Sequence, residues 1–338
     1  MLKLFHNHSF ALDLGNNNTV ISDAWGPLLA QPSYIVFNAA RNVKAVGEHA
    51  YAMFEKTHDE LVPVKPLKGG VIADYESATR MIQEMVNQVY RKRNFFSGFG
   101  HVISGVPYST TEVERRALRD ALEQINSRKS HLIFEPLAAA LGMGLAIREP
   151  QGKLVIDIGG GITEIVVISL SGIAAFQSIK VAGDTFDESI QDHFRRAYNM
   201  AIGLRTAEQI KIQVGSVTEK LAAPPPQMTV KGKDMVSGIP VTRKIGHAEV
   251  ARILERSIMQ IETAIVQTLE TCPPELAADI SETGIYLTGG GSMFRGIKER
   301  FERTIKLPVH LDPTPLKSVS QGISQALAAP KNFAGILI

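Results

Sequence analysis

Cysteine is almost missing from this sequence. Cys272 stands alone among 338 residues, so no disulfide can form within the chain, which fits a reducing compartment. An excess of charge of either sign is missing too. Lys and Arg number 36 against 34 Asp and Glu, a formal net charge of +2, which gives no reason to expect nucleic acid as a main partner. No unbroken apolar run is long enough to span a membrane. The most apolar stretch, Leu154 to Phe176, is interrupted by Asp157, Glu164 and a glycine run. The start, Met1 to Phe10, lacks the continuous apolar segment of a secretory signal because His6, Asn7 and His8 break it. The expectation is a soluble protein, attached at most to a membrane surface. What is present is ordinary for a folded chain, with 44% hydrophobic and 21% charged residues. The length allows two domains, each with its own core.

Strand and helix patterns alternate along the chain. Ser9 to Leu14 and Thr19 to Ser22 predict a hairpin, and Tyr34 to Phe37 and Lys44 to Val46 predict short strands. Helical spacing of apolar residues appears over Asp74 to Tyr90 and over Thr110 to Ile125. Val102 to Val106 and His131 to Phe134 predict strands, and Pro136 opens an Ala-rich helix expected to reach about Ile147. Further on, Lys153 to Asp157 and Glu164 to Ser169 predict strands, and Gly183 to Ile212 is mostly helical. Met228 to Ile245 is β-like, Ala248 to Leu269 a long amphipathic helix and Gly284 to Leu287 a strand. Met293 to Thr304 and Ser318 to Ala329 predict the last helices.

One pattern occurs twice. Asp13-Leu14-Gly15-x-x-x-Thr19 returns as Asp157-Ile158-Gly159-x-x-x-Thr163, nearly half a chain length later. A repeat on that scale marks a duplicated domain rather than a solenoid. Each copy reads as strand, Gly-containing turn, strand. Such a turn binds phosphate when successive N–H groups converge on one concavity, and Gly15 and Gly159, Gly160 and Gly161 let the backbone approach an anion. Asp13 and Asp157 would repel phosphate directly but suit the waters of a Mg²⁺ ion. A third loop, Leu287-Thr288-Gly289-Gly290-Gly291-Ser292, lies between a predicted strand and a predicted helix, where small residues would let a flat base lie on the backbone. Ordinary hairpins with Asp-Gly punctuation are the plain alternative for any one of these loops.

Longer stretches carry a specific resemblance. They are Lys65-Pro66-Leu67-Lys68-Gly69-Gly70-Val71-Ile72-Ala73-Asp74, Glu135-Pro136-Leu137-Ala138-Ala139-Ala140, Asp157 through Glu164, Gly183-Asp184-x-Phe186-Asp187, and Cys272-Pro273-Pro274-Glu275-Leu276-Ala277 through Gly291. With these residues the chain resembles the MreB branch of the actin superfamily over nearly its whole length. The resemblance implies an α/β actin-like ATPase fold: two duplicated ribonuclease-H-like domains around a nucleotide cleft, each with a smaller subdomain. The expected boundaries are 1–148, completed by 314–338, with a subdomain at about 33–65, and 149–313 with a subdomain at about 183–245. The implied cofactors are ATP or ADP with Mg²⁺. Phosphate contacts are implied for Asn16, Asn17 and Asn18 and for Gly159 to Thr163, with Gly183 and Asp184 nearby. Glu208 and Lys211, three apart on one helix face, are implied to reach the nucleoside; an exposed ion pair is the alternative on spacing alone. Glu135 and Thr163 are implied to orient the attacking water, since phosphoryl transfer needs mainly positioning and charge neutralisation. The family's first loop usually reads Asp-Leu-Gly-Thr-Ala-Asn, and here Asn16 and Asn17 replace Thr and Ala. An amide still hydrogen-bonds phosphate or a Mg²⁺-bound water, so binding is expected and the rate of hydrolysis is left open.

The resemblance also implies a homopolymer of paired protofilaments on the inner face of the cell membrane, organising cell-wall elongation through RodZ, MreC and MreD. Arg91-Lys92-Arg93-Asn94-Phe95-Phe96-Ser97-Gly98-Phe99 places aromatic residues beside cations, as insertion among acidic head groups requires. Phe95, Phe96 and Phe99 are the membrane candidates, with Met1-Leu2-Lys3-Leu4-Phe5 as a possible second anchor. Packing of these rings into the core is the alternative. A small-molecule kinase on the same fold is the rival function, with Asp184 as its nearest thing to a base. A chaperone ATPase would need a substrate domain after the duplicated core.

Overall fold

The apolar runs before each Asp-x-Gly pattern, Phe10-Ala11-Leu12 and Leu154-Val155-Ile156, form the central strands of two sheets. A computed structural model describes residues 8–56, 58, 60–90 and 98–338. The chain divides into two units. One runs to Pro150 and takes in Ile168–Ile173 and Leu316–Ile338; the other comprises Gln151–Val167 and Ala174–Pro315.

In the first unit, strands β1 (Phe10–Leu14), β2 (Asn18–Ser22) and β3 (Pro27–Pro32) form an antiparallel meander. A small sheet follows, built from β4 (Ile35–Asn38), β5 (Val43–Val46) and β6 (Leu61–Val64), with helix α1 (Gly47–Met53) after β5. The pair β7 (Leu67–Lys68) and β8 (Val71–Ile72) leads into α2 (Tyr75–Val89), capped by Asp74, whose carboxylate accepts the N–H of Ser77 at 3.0 Å. Next come β9 (Phe99–Val106), α3 (Glu112–Gln124), β10 (Ser127–Phe134) and α4 (Glu135–Gly142). The main sheet has the order β10-β9-β1-β2-β3, with β1, β9 and β10 parallel. Phe10, Leu12, Met81, Met85, Val102, Leu118 and Leu122 fill the core beside it.

The second unit repeats that plan. Its main sheet is formed by β11 (Lys153–Ile158), β12 (Thr163–Ser169), β13 (Gly172–Ile179), β17 (Ile285–Thr288) and β18 (Val309–Leu311), in the order β13-β12-β11-β17-β18. As before, three consecutive strands are joined on the far side by two parallel ones. Between them lie α5 (Gly183–Tyr198), β14 (Met200–Ala201), α6 (Leu204–Val214), β15 (Met228–Asp234), β16 (Pro240–Ile245), α7 (His247–Thr271) and α8 (Pro274–Thr283). A 3₁₀ turn at Gly290–Met293 precedes α9 (Ile297–Ile305), while α10 (Ser318–Ala328) belongs to the first unit. Phe186, Ile190, Phe194, Leu254, Ile258 and Ile261 pack α5 and α7 together.

Several boundaries differ from the sequence reading. The helix opened by Pro136 stops at Gly142, because Gly144 takes φ +75° and turns the chain away. Gly183 to Ile212 is two helices, broken where Asn199 adopts a left-handed φ of 51°. The helix expected from Met293 begins at Ile297, after Gly296 at φ 78°. Strands β3 and β13 and helices α1 and α8 were not read from the sequence. In α8, Pro274 sits in the first turn, where it lacks no needed N–H.

The membrane candidates also need correction. Phe99 is 1% exposed and packs edge-on against Phe10 at 4.9 Å and against Tyr90 at 5.2 Å, so it is a core residue of β9. Phe95 and Phe96, like Met1 to Phe5, lie outside the described residues. Among the described residues no helix is long and apolar enough to cross a membrane.

Candidate functional site

The first glycine turn is fastened from its far side. Ser33 donates its hydroxyl to the Gly15 carbonyl at 2.6 Å and its N–H to the Asn17 carbonyl at 2.9 Å. Beneath it Thr19, fully buried, shares a 2.9 Å hydrogen bond with the Ser33 hydroxyl. A Cβ on Gly15 would stand 2.6 Å from the Asn18 carbonyl oxygen, so only glycine closes this turn. Asn16 and Asn17 turn their amides toward a neighbouring segment of the same unit. The Asn16 Oδ1 accepts the Gly70 N–H at 3.4 Å, and the Asn17 Oδ1 accepts Lys65 Nζ at 2.7 Å. Asn18, at the start of β2, is exposed. Asp13 faces Val20 across the hairpin register. Glu135 opens α4 and lines a cavity of about 20 Å³ with Leu14, Gly70, Pro107 and Thr110, room for one water.

The second turn is built on a helix end. The Gly159 N–H donates to the Ile162 carbonyl at 3.0 Å, closing the turn. The first amides of α5 dock on it: Gly183 donates to the Gly159 carbonyl at 3.1 Å and Asp184 to the Gly160 carbonyl at 2.8 Å. Thr163 is fully buried and donates its hydroxyl to the Val181 carbonyl at 2.6 Å. Its remaining lone pairs can only accept, as orienting a water would require.

The third loop meets this turn directly. Thr288 is the register partner of Asp157. Gly289 follows at φ +79°, and a Cβ there would fall 2.2 Å from the Asp157 Oδ1. Gly290 opens the 3₁₀ turn, Gly291 lies against Ile158, and Ser292 spends its hydroxyl on the Gly289 carbonyl at 2.7 Å. Burial first, then the nearby Asp312 carboxylate, push Asp157 up to about 6. Asp312 itself accepts the Thr288 hydroxyl at 2.7 Å. A buried carboxylate is stabilised by a nearby cation, and a single carboxylate oxygen is the donor type that a hydrated Mg²⁺ ion takes; among the described residues no group of three or more His, Cys, Asp or Glu could hold a metal ion.

Lys211 is anchored rather than free. Its ammonium donates to Asp187 at 2.7 Å and to the Gly183 carbonyl at 3.1 Å. Burial pushes Asp187 up to about 7 even against the pull of Lys211. Glu208 sits one turn earlier on α6. The second unit thus gathers Asp157, Gly159, Gly160, Gly183, Asp184, Lys211, Gly289 and Gly291 through direct contacts and hydrogen bonds, while Gly15, Asn16 and Asn17 cluster in the first. Lys65, Ser33, Asp187 and Asp312 were not singled out from the sequence as site residues. Lys65 and Asp187 did stand inside the stretches that carry the resemblance; Ser33 and Asp312 had no signal.

The model of the MreB/Mbl protein family matches residues 7–334. The cell shape-determining protein MreB of Escherichia coli K12 is 37% identical over 336 residues, 97% of this chain and 96% of that protein. MreB5 of Spiroplasma citri, solved bound to AMPPNP, superposes with a TM-score of 0.91 at 34% identity, covering 98% of this chain and 99% of that one. Its ADP-bound form gives 0.90 at 35% identity, with 97% and 98% covered. A chain of the MamK double helical filament gives 0.77 over 94% of this chain and 98% of its own, at 19% identity, a likeness of fold alone. The chain belongs to the MreB/Mbl family and has the actin-like ATPase fold.

Proposed function

We propose that this chain is a nucleotide-dependent cytoskeletal protein that polymerises head to tail beneath the cell membrane and maintains cell shape. The observation that carries the reading is the duplicated sheet, with an aspartate and a glycine turn at the same place in each copy. The S. citri relative binds AMPPNP and ADP, and the E. coli relative is a cell shape-determining protein. In this reading the N–H groups of Asn16 to Asn18 and of Gly159 to Thr163 hold the phosphates of ATP or ADP. Asp13 and Asp157 hold waters of a Mg²⁺ ion, which neutralises phosphate charge. Lys211 and Glu208 bind the nucleoside, and Gly289 to Ser292 flank the base. Glu135 and Thr163 orient the attacking water, and slow hydrolysis weakens the polymer. Phe95 and Phe96 attach the filament to acidic lipid, and RodZ, MreC and MreD connect it to cell-wall elongation.

The test is sedimentation with parallel electron microscopy of the purified chain, with Mg²⁺-ATP, Mg²⁺-ADP or neither, and with or without acidic liposomes. Nucleotide-dependent polymer in the pellet is the expected result. A chain that binds ATP yet stays monomeric at every concentration and in both lipid conditions removes the cytoskeletal reading.

A further inference from the structure

The chain's single tryptophan stands in water. Trp25 is 93% exposed at the tip of the β2–β3 turn, although tryptophan is highly buried on average. The turn holds it there. Asp23 Oδ1 accepts the Trp25 N–H at 2.7 Å and the Gly26 N–H at 3.1 Å, and the Asp23 N–H donates to the Gly26 carbonyl at 3.0 Å. Leu28, on the strand that leaves the turn, is 44% exposed, whereas Leu29 packs against the core. A turn ordered in advance loses little entropy when it binds.

This turn sits at one end of the main sheet of the first unit. Ser22 pairs with Ala11, so the turn that follows lies beside the start of β1. Strands β9 and β10 start at the same end, since both run parallel to β1 and Phe99 pairs with Ser127. Tyr90, the C-cap of α2, packs on His8 at 5.1 Å, Phe10 at 6.1 Å and Phe99 at 5.2 Å. Burial first, then the charge of Asp23, push its phenol up to about 12. Residues 1–7 and 91–97, outside the described residues, therefore join the structure at this end, through His8, Tyr90 and Gly98.

Charge at this end leans positive. Arg128 and Lys129, near the start of β10, are exposed and have no ion-pair partner among the described residues. A Cβ on Gly98 would stand 3.6 Å from the Arg128 side chain. Asp23 has spent its carboxylate on the turn, and Glu123, in the last turn of α3, is the exposed acid that precedes Arg128. In sequence, residues 91–97 add Arg91, Lys92 and Arg93 and no acid, and residues 1–7 add Lys3 and no acid. An indole beside unpaired cations matches a bilayer with acidic head groups, because the ring suits the boundary between acyl chains and head groups and the cations suit the phosphates. Trp25 and Leu28 alone fall far short of the area that a stable interface between folded proteins buries.

We propose that the β2–β3 turn is a lipid contact of its own, with Trp25 inserted among acidic head groups and Arg128 and Lys129 meeting their phosphates. The inference rests on the membrane attachment proposed above and adds to it a rigid contact from a different segment. Phe99 lies at the same end of the sheet but is packed inside; Trp25 is an aromatic side chain that the fold leaves outside. Four strand spacings, about 19 Å, separate the edges of this sheet, so Trp25 and the two cations can meet one flat surface together.

Trp25 is its own probe, because no other tryptophan contributes to the emission. The full chain, with and without Mg²⁺-ATP, is mixed with vesicles of phosphatidylglycerol, of phosphatidylglycerol with brominated acyl chains, or of phosphatidylcholine. Acidic vesicles should move the emission to the blue and brominated chains should quench it, while phosphatidylcholine should do neither. In co-sedimentation, Trp25→Ser should weaken binding to acidic vesicles about tenfold, and Arg128→Glu with Lys129→Glu should weaken it severalfold. All three side chains are exposed, and an unchanged melting temperature confirms that the variants fold. Binding of the parent chain to acidic vesicles with no blue shift and no quenching overturns the proposal while leaving the membrane reading intact. A blue shift that needs only Mg²⁺-ATP, with no quenching by bromine, assigns Trp25 to a contact between copies and overturns it as well. A chain that binds neither kind of vesicle, with or without nucleotide, removes the membrane reading and this contact with it.

Discussion

Asp187 and Lys211 form a largely buried ion pair, with side chains 9% and 13% exposed at 2.7 Å. Burial leaves Asp187 with a folded value of about 7, against about 3.9 in an unfolded chain. The native state therefore holds this proton more tightly. The stability it contributes is complete below the unfolded value and is lost as pH rises through about 7. Replacing Lys211 with Met removes the pull that favours ionisation. The expected loss is about 3 kcal/mol at pH 8, shrinking toward pH 6, where a neutral Asp187 tolerates the missing cation. Urea unfolding midpoints at the two pH values check this. Asp157 makes a different prediction. With Asn in its place, the nucleotide-free protein should keep its stability while most of the added stabilisation by Mg²⁺-ATP over metal-free ATP disappears. Melting temperatures with and without chelator read that difference. The spacing of Glu208 and Lys211 put both on one helix face, but it could not show that Lys211 is committed to Asp187, because that partner comes from another helix.

Helices α4 and α10 lie close because two glycines allow it. A Cβ on Gly142 would fall 1.9 Å from the Ser318 carbonyl oxygen, and one on Gly322 would fall 1.8 Å from the Ala138 carbonyl oxygen. Neither backbone can yield without moving a helix. Gly322→Ala should therefore destabilise the chain by about 2–3 kcal/mol, where the same change on an exposed helix face would stabilise it. Elsewhere local rules suffice. The capping box on α3, with the Thr111 hydroxyl accepting the Glu114 N–H at 3.3 Å, predicts a loss of about 1 kcal/mol for Thr111→Ala. Denaturant unfolding of the two variants compares the long-range effect with the local one. Amphipathic periodicity made α2, α3, α7 and α10 legible from the sequence. Strand β13 was not, because exposed and half-buried residues alternate weakly along it, and pairing with β12 rather than local pattern makes it a strand.

At the scale of the molecule the duplication dominates. Two sheets share one strand order, and each places an aspartate at the end of its central strand. A nucleotide that binds only the folded chain stabilises it by mass action, by about 2.7 kcal/mol at one hundred times its dissociation constant. Saturating Mg²⁺-ATP should raise the melting temperature measurably, whereas a chain with Gly289→Ala should gain much less. That Cβ would press on Asp157 and displace the third loop from the second turn. Calorimetry of the two proteins, with and without nucleotide, gives the comparison.

The repeat of Asp-x-Gly, the glycine triplet and the family stretches were determined by sequence alone, because turn geometry and phosphate contact demand particular residue types at short spacing. So were the strands and helices whose burial follows a single period. Tertiary structure decided what short spacing cannot encode: that Phe99 fills the core rather than facing lipid, that Asn16 and Asn17 are tied to Gly70 and Lys65, and that Asp187 claims Lys211. Each depends on segments distant in the chain meeting across a sheet or helix pair. Burial and hydrogen-bond partners are properties of that meeting, and no local pattern of residues carries them.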